Sequence, residues 1–184
     1  MVDVVSPETR SRMMSGIRGK DTNPEMLIRR SLHKQGFRYK LHESTLPGRP
    51  DLAFPRYRAV IFVNGCFWHG HDCHLFKWPG TNLDFWRKKI GRNREKDNES
   101  LAALDDLGWR VLVIWECALK GRNRLPFDVV VRDVSYWLTE GQNNVRIRGH
   151  NPEHFTSERR EDEAGVSLGI FCRRSRQTTG SSRD

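Results

Sequence analysis

Apolar and polar positions along the chain fall into two periods. Trp109 to Trp115 reads WRVLVIW, and Arg58 to Val63 is β-branched and apolar; both predict buried strands. Phe37, Tyr39 and Leu41 alternate with polar residues, which predicts a half-buried strand. Asp51 to Phe54 reads as a short strand between the turn Pro47-Gly48-Arg49-Pro50 and Pro55. The helical period governs Leu83 to Leu107, where Gly91 is a candidate break and Gly108 a cap. It governs also the segment opened by Pro126, with Phe127, Val130, Val131, Val134, Trp137 and Leu138 on one face. Ser6-Pro7-Glu8 and Asn23-Pro24-Glu25 each present an N-cap, a proline and an acid, the grammar of a helix start. Gly19-Lys20-Asp21-Thr22 is a turn between those helices, and Gly36 stops the second. The order α-α-β-β-β-α-β-α predicts an α/β fold, with a mixed central sheet flanked by helices.

Composition sets boundaries on this picture. The 184 residues suit one domain with a tail. Residues 143–184 lack a long apolar pattern and end in a Ser/Thr/Arg-rich stretch. We therefore expect a folded body over 1–142 and a disordered polar tail after it. The 32 basic against 23 acidic residues give a net charge of +9, which favours polyanionic partners. No apolar run reaches the roughly 18 residues of a membrane span. The start MVDVVSPETR has no secretory character, so an intracellular, cytoplasmic protein is expected. Four cysteines in such a chain do not suggest a disulfide framework.

Residues 64–81 follow neither period and read as a loop. Within it, Gly65 to His74 (GCFWHGHDCH) carries two cysteines and three histidines. Cys66, His71 and Cys73 together with Cys117, just past the strongest strand, make a Cys₃His set that suits a closed tetrahedral zinc site. Such a site would pin a loop with little apolar content to the sheet, by on the order of 10 kcal/mol. Composition leaves His69 or His74 open in place of His71, and buried free thiols beside surface histidines are the plainer alternative. Cys172 lies in the tail and is set aside.

GRPDLAF, VIFVNGCFWHGHDCHLF, FWRKKIGRNREKDN and LGWRVLVIWECAL, in this order, closely resemble the very-short-patch mismatch repair endonucleases over roughly residues 6–140. The resemblance implies a restriction-endonuclease-like core with a structural zinc site. It implies a magnesium-dependent enzyme that nicks DNA 5′ to the T of T·G mispairs left by deamination of 5-methylcytosine. Carried over by motif, Asp51 and the Val63 backbone carbonyl would hold magnesium, His69 would be the general base, and Glu25 would stand near the metal's waters. Cys66, His71, Cys73 and Cys117 would bind zinc. Phe67, Trp68 and Trp86 would wedge into the base stack, Lys89 and Asn93 would face the mispair, and Met14 is a weaker wedge candidate. The partner would be double-stranded DNA with a T·G mismatch, met by a monomer, with other repair proteins as further partners. Two departures stand out. Val63 replaces a hydroxyl residue of the best-known members, and Ile61-Phe62-Val63 offers no lysine where the wider restriction fold usually has one.

The residues themselves are compatible with that chemistry. Phosphodiester hydrolysis needs an activated water and charge neutralisation at phosphorus. Asp51 at a strand start can project toward a metal, although alone it reads more readily as a solvated turn residue or N-cap. A histidine titrates near neutrality and can take a proton, and His69 would otherwise be one more zinc ligand. Trp86, Lys89, Asn93 and Asp97 are spaced to share one helical stripe, with Asp97 able to orient His69. A solvated helix face with Trp86 turned inward is the alternative. Phe67 and Trp68 are adjacent, so at least one should be exposed and free to insert between bases; the alternative packs Phe67 under the loop. Two other functions compete: a noncatalytic zinc module that binds damaged or bent DNA, and a hydrolase with an open zinc. Four good ligands argue against the latter.

Overall fold

The computed structural model describes residues 6, 8, 9, 12 and 19–150. Met14, Cys172 and residues 151–184 lie outside that set, so the wedge role of Met14 and the disorder of the distal tail go unaddressed. The described elements run α1 (Asn23–Lys34), β1 (Lys40–Leu41), β2 (Leu52–Phe54), a 3₁₀ turn (Pro55–Tyr57), β3 (Ala59–Asn64), α2 (Leu83–Asp106), β4 (Arg110–Trp115), α3 (Glu116–Leu119), α4 (Phe127–Glu140) and β5 (Val145–Ile147). Upstream, Glu8, Thr9 and Arg12 are helical, and the Thr9 N–H donates to Ser6 Oγ, as an N-cap serine requires.

The five strands lie in chain order, β1-β2-β3-β4-β5. β1–β2 and β2–β3 are antiparallel, β3–β4 and β4–β5 parallel, so the sheet is mixed as expected. Alternation along the strands feeds two cores. Leu52, Phe54, Ala59, Ile61, Leu112 and Ile114 face α1 and α4, where Ile28, Leu32, Val130, Val134, Trp137 and Leu138 meet them. Ala53, Val60, Val111 and Val113 face the other way, onto Leu101 and Leu104 of α2. The result is a helix–sheet–helix sandwich. No helix of the described residues is long and apolar enough to cross a membrane.

Four details differ from the sequence reading. The cap of α1 is Thr22, whose hydroxyl accepts from the Glu25 N–H, one residue before the expected Asn23. The strand expected over Phe37–Leu41 shrinks to Lys40–Leu41, because Phe37 and Tyr39 turn onto Phe54 as edge-on rings. Helix α2 runs unbroken through Gly91. The folded body also continues past residue 142. Val145 and Ile147 are buried on the open edge of β4, the Asn144 side chain accepts from the Val111 N–H, and the His150 N–H reaches the Asn123 carbonyl. Residues 143–150 therefore belong to the body and not to a tail.

Candidate functional site

Two clusters flank the loop that leaves β3. The first is sulfur-rich. Ligand atoms of Cys66, His71, Cys73 and Cys117 all lie within 4.8 Å of one another, a group that could hold a metal ion. His71 Nδ1 stands 3.5 Å from Cys66 Sγ and 3.6 Å from Cys117 Sγ. His71 is thus the histidine of the set, while His69 and His74 are turned elsewhere. Backbone bonds from the His71 N–H to the Cys66 carbonyl (2.9 Å) and from the Cys73 N–H to the His71 carbonyl (2.9 Å) coil the loop so that three ligands converge. The fourth comes from α3, directly after β4, and the His71 ring stacks on Trp115 at 4.0 Å.

Cys66 and Cys117 are buried and supported by N–H donors, while Cys73 is half-buried. The Cys117 N–H points to Cys66 Sγ at 3.3 Å, and the Gly149 N–H to Cys117 Sγ at 3.4 Å. A Cβ on Gly149 would sit 2.4 Å from the Cys117 carbonyl oxygen, so only glycine lets the chain after β5 come this close. The thiols cannot all ionise alike. A hydrogen bond from Cys66, helped by His71 and the Gly149 N–H, pulls Cys117 down to about 4. The same bond to Cys117, with burial, pushes Cys66 far up, and burial raises Cys73. Three soft sulfurs and one imidazole in a closed shell match the donor chemistry of structural zinc.

The second cluster is built of oxygen and imidazole. Asp51 stands just before β2, and its Oδ2 accepts from the Val63 N–H across the β2–β3 pair at 2.7 Å. The Val63 side chain packs on the core between sheet, α1 and α4, so its backbone is what meets the carboxylate. Burial pushes Asp51 up to about 6. The Val63 N–H opposes the rise, the Glu25 charge adds to it, and His42 and His69 oppose it. Glu25 is 2% exposed, held near Arg29 Nη1 at 3.4 Å, and Arg29 also bonds Asp21. A half-buried carboxylate whose pKa is raised by desolvation and by a second acid is oxygen chemistry that suits a hard divalent cation such as magnesium.

His69 belongs to this second cluster. Its Nδ1 lies 2.5 Å from Asp97 Oδ2, and its ring meets Trp115 edge-on at 6.1 Å. Gly70 adopts φ +56°, and a Cβ there would fall 2.7 Å from Ile90 Cγ2. That close approach seats the loop against α2, and so His69 against Asp97. One imidazole therefore faces the carboxylates while its neighbour two residues on faces the sulfurs.

Beyond His69 the loop and the N-terminal half of α2 share an aromatic cluster. Phe67 contacts Trp68 (5.3 Å) and Trp86 (5.1 Å), and Trp68 lies 6.0 Å from Trp86. All three are half-buried, so neither Phe67 nor Trp86 is withdrawn into a core. Lys89 Nζ sits 5.4 Å from the Trp68 ring and 5.9 Å from that of Trp86. Asn93 donates to the Trp68 carbonyl at 2.8 Å, so it braces the loop as well as sharing the stripe. The sequence reading missed His42, which stands between Glu25 and Asp51. A lone histidine after a two-residue strand carries no spacing that would single it out.

Comparison with known proteins places the chain among DNA endonucleases. The family model described as DNA mismatch endonuclease Vsr matches residues 2–75. DNA mismatch endonuclease Vsr of Escherichia coli (strain K12) is 44% identical over 138 residues, covering 75% of this chain and 88% of that protein. Type II nicking enzyme V.XorIIP of Xanthomonas oryzae pv. oryzae is 49% identical, over 65% of this chain and 88% of its own. Type II nicking enzyme V.NmeAIP of Neisseria meningitidis serogroup A is 41% identical, over 66% and 87%. Fold and site thus define a restriction-endonuclease-like α/β protein with a Cys₃His group that could hold zinc. Within that class, the chain belongs to the DNA mismatch endonuclease Vsr family.

Proposed function

We propose that this chain is a DNA endonuclease that nicks one strand 5′ to the T of a T·G mispair arising from 5-methylcytosine deamination, and so opens very-short-patch repair. The observation that carries the reading is the grouping of Asp51, Glu25 and the His69–Asp97 pair at one end of β2 and β3, in a chain 44% identical to a mismatch endonuclease. Relatives named as nicking enzymes support cutting one strand rather than two. The basic balance supports a DNA substrate met inside the cell.

Asp51, with the Val63 carbonyl, would hold magnesium, and Glu25 would stand by it. Magnesium there supplies charge neutralisation at the scissile phosphate. The His69 Nδ1–H donates to the Asp97 carboxylate, which leaves Nε2 as the basic nitrogen. As water attacks phosphorus, its proton passes to His69 Nε2, the phosphorus–oxygen bond opposite the water breaks, and the leaving oxygen takes a proton from solvent water. The Cys₃His group, with zinc, fixes the loop that carries His69. Phe67, Trp68 and Trp86 supply rings for a weakened base step. The cost of unstacking is smaller at a wobble pair, so insertion favours the mismatch. Lys89 and Asn93 stand on the same face and would meet the mispair.

The testing experiment offers purified protein a T·G duplex and its C·G counterpart, with and without magnesium, and resolves the nicked strand. The expected result is one nick, 5′ to T, in the T·G duplex with magnesium alone. Cutting of both duplexes alike, or cutting without any divalent cation, contradicts the reading.

A further inference from the structure

We propose, on the reading of Asp51 as the cation-holding acid given above, that His42 is a positioning residue of the nicking site. Its imidazole, set between Glu25 and Asp51, fixes the Asp51 carboxylate in the orientation that receives the divalent cation.

Three independent features converge on His42. The first is the place of the ring: Nδ1 lies 3.8 Å from Asp51 Oδ1 and Nε2 lies 3.4 Å from Glu25 Oε1. The ring thus stands beside one Asp51 oxygen while the other takes the Val63 N–H at 2.7 Å. The second is the backbone. His42 has φ +47°, a left-handed conformation that a residue with a Cβ rarely adopts, and its N–H donates to the Asp51 carbonyl at 3.2 Å. A strained turn after β1 thus brings this side chain, and no other, beside Asp51. The third is the state of the ring edge: His42 Nε2 is buried and meets no partner in hydrogen-bond geometry, the Glu25 oxygen lying off its line. A nitrogen kept dry without a full hydrogen bond marks a place where packing serves something other than stability.

The groups around His42 separate this role from a cation site of its own. Asp21, Glu25 and His42 approach one another within 4.8 Å, but the Arg29 guanidinium already bonds both acids and supplies their positive charge. Arg29 therefore anchors Glu25, Glu25 backs the imidazole, and the imidazole backs Asp51. Without the ring, the buried Glu25 and the half-buried Asp51 would have no polar side chain between them, and their like charges would repel. Glutamine at this place keeps a polar reach to one carboxylate, whereas alanine keeps none.

The test uses the full, zinc-loaded chain and two variants, His42→Ala and His42→Gln. Manganese binding is read by electron paramagnetic resonance, nicking of the T·G duplex is measured across a magnesium series, and zinc content and melting are recorded beside them. His42→Ala is expected to weaken manganese binding about tenfold or more and to raise the half-maximal magnesium concentration in parallel, with zinc retained. His42→Gln should recover most of both. Wild-type manganese affinity in His42→Ala overturns the proposal, as do equal losses in the two variants or a loss that follows zinc and folding. If the wild-type chain neither binds manganese nor nicks with magnesium, the reading of Asp51 falls and this proposal with it. If the wild type does both and His42→Ala matches it, the proposal alone falls.

Discussion

The two clusters beside the β3 loop are neighbours in sequence and opposites in chemistry. Cys66, Cys117 and His71 are 0%, 1% and 8% exposed, and with the half-buried Cys73 they bring four donors together. The His69 and Asp97 side chains are 21% and 32% exposed, and face a carboxylate that burial holds up near 6. One centre is built to be finished and inert, the other to be open and under electrostatic tension. The difference teaches how one loop can bring an imidazole to each of two unlike clusters. Cys66 and His71 bracket His69 in the loop, so the sulfur cluster ties down its backbone on both sides while Gly70 packs on Ile90. The tension stays on the other side, where it can act on a substrate.

The comparison breaks first at the closed centre. Cys117→Ala should remove zinc, leaving none where about one per chain is expected, and abolish the cooperative melt, because structural zinc contributes on the order of 10 kcal/mol. Metal analysis and a thermal scan check it. A metal-free chain that melts as well as wild type would end the distinction between the two centres.

At the open centre the effect on stability should have the opposite sign. The Asp51 value in the fold, about 6, lies above the ordinary carboxylate value of the unfolded chain. The unfolded chain therefore releases this proton at lower pH, and folding is penalised as pH rises from about 4 through about 6. The penalty is complete above that window, and is up to about 3 kcal/mol. Asp51→Asn should raise the melting temperature by several degrees at about pH 7.5 in magnesium-free buffer and change little near about pH 4. The same variant should lose nicking while still binding DNA, since basic side chains supply affinity. Paired melts at the two pH values and a gel shift decide this.

A smaller effect is expected at the aromatic cluster. Trp68→Ala and Trp86→Ala should reduce the preference for T·G over paired duplex by about tenfold. Stacking a ring on a base contributes roughly 1–3 kcal/mol, whereas phosphate contacts act on any duplex and fall with salt. Binding to both duplexes across a salt series separates the two terms. Equal losses on both would assign these tryptophans to the fold. The smallest effect belongs to Val63→Thr. Since the Val63 backbone and not its side chain meets Asp51, nicking should stay within about twofold, while the added hydroxyl costs up to about 1 kcal/mol in a melt.

Much of this was legible in the chain, for local reasons. WRVLVIW and the Val130–Leu138 stripe carry the period of their elements, and both form as read. The Cys/His density announced a metal group. What sequence leaves open is decided by tertiary contact. His71 rather than His69 joins the sulfurs because Gly70 packs on Ile90 and aims the two imidazoles apart. β5 was not visible, because Val145-Arg146-Ile147 has only two apolar residues and becomes a strand through the open edge of β4. His42 gains its place from a left-handed backbone that no pattern of neighbours signals.

His69→Ala tests the division of labour most directly, because this residue lies between two zinc-group ligands and belongs to the other centre. Zinc content and nicking of the T·G duplex are measured on the same preparation. The account predicts nicking reduced by about 100- to 10,000-fold, the range of a lost general base, with wild-type zinc and an unchanged melt. Zinc lost in step with activity would make His69 a ligand, and the two centres one.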